Sequence, residues 1–148
     1  MQAAYDIARY TAEDPAAGLP DEQDVATEAP ELELFHPWPI DAHEAQQLAL
    51  RCEAAALQTS KKIRNSEGAG VSAQQSHFYA EHMRGGERAR AGIFRGGYAS
   101  SRHSLSVSPI AGKGAQMQRD YWYSSMRSPH DLASPEAVGR YAAGSSAV

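Results

Sequence analysis

Hydrophobic positions along the 148-residue chain change period several times, and each change predicts an element. Ala3, Ala4, Ile7, Ala8 and Tyr10 recur at the spacing of a helix. That helix begins without a cap, so the chain reads as entering mid-element, and Asp14-Pro15 is placed to stop it, because a residue before proline is driven out of the α region. From Ala16 the period is lost until Leu32, Leu34 and Phe35, in a background of Pro, Asp and Glu. This stretch reads as a long connector that ends extended in His36-Pro37-Trp38-Pro39, anchored by Phe35 and Trp38. Asp41 with Glu44 three residues on is an acidic capping box, and Ala45, Leu48, Ala49, Cys52, Ala55 and Ala56 then line one face. The clearest predicted element is therefore a helix over 41–57.

Beyond it the period shortens to two. Ile63 and the residues around Val71 read as short strands joined by a Gly68-Ala69-Gly70 turn, with His77-Phe78-Tyr79 as another strand. From Ser101 to Ser108 the alternation is strict: His103, Leu105 and Val107 point one way, Arg102, Ser104 and Ser106 the other. Gly112-Lys113-Gly114 is a turn, and Met117 to Tyr123 a further strand carrying Met117, Arg119, Tyr121 and Tyr123 on one side, read as a buried aromatic face. Ser134-Pro135-Glu136 is an N-cap with proline at the first helical position, opening a last helix through Val138 and Tyr141. The sum is an α+β fold of antiparallel strands with flanking helices. The last helix is expected to stop without room to pack.

Composition makes the core look thin. Of the apolar residues 27 are alanine, whereas Leu, Ile, Val and Phe together number 21. Alanine buries little area, so the driving force per residue is small. No apolar run approaches the ~20 residues that span a bilayer, and Met1–Pro15 has no basic region followed by an apolar one, which excludes a secretory signal. A lone Cys52 makes no internal disulfide; with Leu48, Ala49, Ala55 and Ala56 around it, it reads as a packed helical thiol in a reducing, cytoplasmic setting. Residues 1–60 carry 12 acids and 2 bases, net −10, and residues 61–127 carry 11 bases and 4 acids, net +7. The basic half admits nucleic acid as a partner, yet the acidic half can neutralise it within the fold, and the overall charge of −4 argues against that partner.

Candidate chemistry is sparse. His43-Glu44 opens an H-E pair on a helix, but the zinc pattern needs a second His one turn on, where Gln47 and Leu48 stand. His77, Glu81 and His82 are near enough in sequence to be metal candidates if helical, and a strand and loop there would splay them. Gly70-Val71-Ser72-Ala73-Gln74 is one glycine short of a nucleophile elbow, and Gly112-Lys113 is followed by Gly114 where a Walker loop needs Ser or Thr. Gly68-Ala69-Gly70 with Ala73 matches a dinucleotide fingerprint formally, but no good helix follows. No catalytic or cofactor-binding residue is assigned. The basic and aromatic segments Arg84–Arg95 and Tyr121–Tyr123 support an alternative, a peptide- or nucleic-acid-binding module.

Long strings in one order carry more: DIARYTAEDP at 6–15, LFHP at 34–37, ALRCEAAALQ at 49–58, KKIRNSEGAGVS at 61–72, SSRHSLSVSPIAG at 100–112 and QRDYWYSS at 118–125. Together they resemble the PmbA (TldE) type of subunit in the TldD/TldE metallopeptidase family, formerly "modulators of DNA gyrase". Members are much longer, so the resemblance implies an incomplete piece of the family's N-terminal α/β region: the end of a preceding helix at 1–15, an extended connector at 16–40, and an α+β part at 41–148. The segment HFYAEHMRGGERARAGIFRGG departs from the family pattern and reads as an atypical Arg/Gly-rich insert at about 80–96. The resemblance further implies a cytoplasmic heteromer. In it a TldD-like partner carries the zinc, this type of subunit is non-catalytic, and the substrates are unfolded peptides, in peptide-antibiotic maturation and antitoxin degradation. It transfers no catalytic residue, because no position here matches the zinc motif.

Overall fold

A computed structural model describes residues 1–16, 24, 28, 30–82 and 94–146, with the side chains of 82, 94, 145 and 146 excepted. Its elements are α1 (Gln2–Tyr10), α2 (Ala42–Thr59), β1 (Ile63–His82), β2 (Phe94–Ala111), β3 (Gln118–Arg119), β4 (Trp122–Met126) and α3 (Pro135–Ser146). Among the described residues three α-helices and an antiparallel four-stranded sheet make the class α+β, as the alternating and helical periods predict. Two compact units divide the chain. Residues 1–30 and 79–96 form one, residues 31–78 and 97–148 the other. In the first unit, α1 ends at Tyr10, where Thr11 turns extended and caps Ile7, four residues before Asp14-Pro15. None of its residues is buried. The arginine-rich stretch 83–93 lies outside the described residues.

The second unit is built on β2. Hydrogen-bonded order places β1 on one side of it, with β4 and β3 following each other along the opposite side. Ser101, His103, Leu105, Val107, Pro109 and Ala111 of β2 are all buried, and Arg102, Ser104, Ser106, Ser108 and Ile110 face outward. The buried row joins Ile63 of β1, Cys52 and Ala56 of α2, and Val138, Ala142 and Ala143 of α3 in one core, so the helices cover one face of the sheet. α2 starts as the capping box requires: the Glu44 amide donates to Asp41 Oδ1 at 2.8 Å, and the Asp41 amide donates back to Glu44 Oε2 at 3.4 Å.

Four expectations are corrected. First, Gly68-Ala69-Gly70 is no turn. β1 runs unbroken from Ile63 to His82, taking in the separate strands expected around Val71 and His77, because Gly68 at φ +118° absorbs the local conformation without breaking the strand. Second, the strand expected over Met117–Tyr123 is two short strands. Ile110 pairs with Arg119 and Val107 with Trp122, one common register that sets Pro109 opposite Asp120. Proline has no N–H to donate there, and Ser108 Oγ donates to the Asp120 carbonyl instead, at 3.3 Å. Asp120 Oδ1 meanwhile accepts the Tyr121 amide at 2.8 Å. Third, Tyr121 and Tyr123 share the outward face and are not buried: they are 63% and 53% exposed. Fourth, α3 is not left without packing. Ser134 Oγ accepts the Ala137 amide as an N-cap, and Gly139 lies against the backbone of α2. Small residues let these helices approach backbone to backbone, so alanine and glycine build a close crossing where the composition suggested a thin core.

Candidate functional site

Residues 31–40 have no regular secondary structure, yet they are held as a strap against β2. Ser101 is the clasp. Its amide donates to the Leu34 carbonyl at 3.0 Å, its Oγ accepts the His36 amide at 2.8 Å, and the same hydroxyl lies 2.9 Å from the Arg127 carbonyl as donor. Two residues on, His103 is fully buried and its Nε2 is 2.8 Å from the His36 carbonyl. A carbonyl only accepts, so Nε2 is the donor in this contact. Nδ1 has no hydrogen-bond partner among the described residues. The imidazole also meets Trp38 edge to face, centroids 5.4 Å apart at 76°.

Trp38 thereby becomes one wall of an open cleft of about 330 Å³ whose other lining residues are Ile40, His43, Glu44, Gln47 and Leu48. The strap supplies Trp38 and Ile40, and the first two turns of α2 supply the rest. Trp38, Ile40 and Leu48 are half-buried and form the apolar floor; His43, Glu44 and Gln47 are exposed at the rim. The H-E pair singled out in the sequence therefore faces a cleft.

The other candidates are placed as follows. His77 and Glu81 both lie on β1, and four residues of extended chain separate them by roughly 13 Å. Glu81 Oε1 accepts Arg95 Nε at 2.7 Å. His82 is on the same strand, and its side chain lies outside the described ones. Among the described residues no three His, Cys, Asp or Glu side chains come together as a metal site. Glu67 bridges Arg119 and Ser108 on the outward face; the hydrogen bond from Arg119, with its charge, holds the Glu67 carboxyl below the usual carboxylate range. Tyr121 and Tyr123 stack there at 6.3 Å and 11°, and Trp122 packs at 4.3 Å on Tyr141 of α3.

Cys52 is buried between α2 and α3, as its alanine neighbours predict. Burial, and then the negative charges of Glu136 and Glu53, push its thiol up to about 11. A folded-state pKa raised in this way stabilises the fold below the unfolded value near 9 and loses that contribution as pH rises toward 11. Two outcomes are expected. Iodoacetamide leaves Cys52 unmodified at pH 8 until denaturant is added, and the fall in stability between pH 9 and 11 is smaller in Cys52→Ala.

Together these observations define a small α+β domain, with a cleft beside a clasped strap and an aromatic outward face. The sequence pattern of the PmbA/TldA metallopeptidase central domain matches residues 35–145, and the chain belongs to that family. It is 46% identical over 139 residues to the Metalloprotease PmbA of Escherichia coli O157:H7, covering 94% of this chain and 29% of that protein. Against the Metalloprotease PmbA homolog of Haemophilus influenzae the identity is 38%, with the same coverage. The chain thus spans less than a third of these relatives. Two solved structures described as modulators of DNA gyrase share the fold. One, from Bacteroides thetaiotaomicron, has a TM-score of 0.73 and 23% identity over 99% of this chain and 32% of its own. The other, from Thermotoga maritima, has a TM-score of 0.66 and 18% identity over 82% of this chain and 26% of its own.

The family name implies a metal, and the described side chains do not fit one. His43 and Glu44 meet Gln47 and Leu48 where a further ligand is needed, His77 and Glu81 are too far apart, and Glu81 already engages a guanidinium. Sequence reasoning missed Ser101 as a clasp and the cleft itself. The available signals were the Phe35–Ile40 extended run and the inward His103, which meet through residues 67 apart in sequence.

Proposed function

We propose that this chain is a central-domain piece of a non-catalytic, PmbA-type subunit. That subunit joins a zinc-bearing TldD-like subunit in the cytoplasm to act on unfolded peptides, as in peptide-antibiotic maturation or antitoxin degradation. The observation that carries this reading is the match of residues 35–145 to the family's central domain, joined to a donor set that suits no zinc ion among the described residues. A zinc peptidase needs three protein ligands, an open coordination position and a base aligned to the bound water. On this reading the domain's own work is to hold and present surfaces.

Pure chain incubated with an unfolded peptide and zinc is expected to cleave nothing, and cleavage is expected once a TldD-like subunit is added. Cleavage by the chain alone that disappears when His77 and His82 are both changed to alanine would overturn the reading. A second reading, nucleic-acid binding, has the exposed Tyr121–Tyr123 stack in its favour. It would be carried by retention on single-stranded nucleic acid that weakens steeply with salt.

A further inference from the structure

The geometry points to the cleft between the strap and α2 as a binding site for a peptide segment in which a large apolar side chain adjoins a lysine or arginine. This deepens the reading of a peptide-handling subunit and rests on it.

Shape comes first. About 330 Å³ is the small end of ligand pockets, with room for one large side chain on the floor of Trp38, Ile40 and Leu48. Both walls are fixed before anything binds. Trp38 is held by His103 and by the strap's hydrogen bonds to Ser101, and the α2 wall is held by the capping box. A site fixed in advance loses little freedom on binding.

Charge selects the neighbour. From Glu31 to Leu50 the chain carries Glu31, Glu33, Asp41 and Glu44 and no lysine or arginine. The start of α2 contributes about half a positive charge, whereas Asp41 and Glu44 beside it bring two negative ones, so the rim is net negative. An apolar floor under an acidic rim fits an apolar residue followed by a cation, with the Trp38 ring available to the cation's stem.

The test uses a fluorescein-labelled Gly-Gly-Phe-Lys-Gly-Gly peptide and anisotropy with the purified chain. Saturable binding is expected for this peptide. It should be lost when Phe is replaced by Gly, and weakened about fivefold when Lys is replaced by Glu. Glu44→Gln keeps the capping box, since glutamine serves at that position, and should weaken binding about threefold while flattening its salt dependence. Gln47→Trp, at an exposed rim position, should fill the cleft and abolish binding with the dichroism spectrum unchanged. Equal affinity for all three peptides overturns the proposal. So does concentration-dependent self-association that excludes the peptide, which would make a second copy the occupant. Cleavage with the TldD-like subunit but no preference for Phe-Lys sinks the cleft and leaves the subunit reading standing. Preference for Phe-Lys without such cleavage does the reverse.

Discussion

Gly139→Ala is expected to destabilise the chain by about 3 kcal/mol or more and to separate α3 from α2. A Cβ built at this position would sit 2.3 Å from the Cys52 carbonyl oxygen and 2.9 Å from both the Ala56 nitrogen and the Ala55 Cβ. Two of these three atoms belong to backbone inside a regular helix, so no side chain can swing aside and α3 itself must move. Moving it uncovers Val138, Ala142 and Ala143, which are buried in the shared core. Denaturant unfolding reads the loss, and iodoacetamide modification of Cys52 at pH 8 without denaturant reports the opened crossing. Gly144→Ala, on the same helix with nothing within 4 Å of its would-be Cβ, is the internal control and should gain up to about 1 kcal/mol from helix propensity.

His103→Ala should cost about 3–4 kcal/mol and free the strap. The substitution empties a fully buried ring volume, leaves the His36 carbonyl without its donor and removes the edge on which Trp38 rests. Unfolding in urea measures the cost, and red-shifted tryptophan emission under native conditions measures the release of Trp38. His103→Gln places an amide nitrogen near the original Nε2 and should recover part of both. A cost below about 1 kcal/mol would mean that Ser101 alone anchors the strap.

The features legible in the sequence are those set by neighbours within one turn or along one strand. The capping box at Asp41 and Glu44, the Ser134 cap and the inward row through His103, Leu105 and Val107 all stand where local spacing puts them. Failures came where one local signal had two physical outcomes. Gly68 at φ +118° can end a strand or let it continue, and a Gly-Ala-Gly string does not distinguish the two. The gap between β3 and β4 is written in Pro109, eleven residues before Asp120, so the reason for the break lies in the opposing strand. Counting large aliphatics misjudged the core because a helix crossing at Gly139 gains from closeness, and small residues provide closeness. The cleft was illegible for a related reason: its apolar wall is set by a histidine far along the chain.

The strap's attachment also sets a condition on the cleft. Its contacts to Ser101 and His103 join residues 65 to 67 apart in sequence, as the Arg51–Glu136 pair between α2 and α3 joins residues 85 apart. Loop closure of that length yields no return in contacts until the strand carrying Ser101 and His103 is already in place. The strap therefore docks only onto a strand that is already formed. Without the strap Trp38 is absent from the cleft, so the site exists only in molecules whose strap is seated.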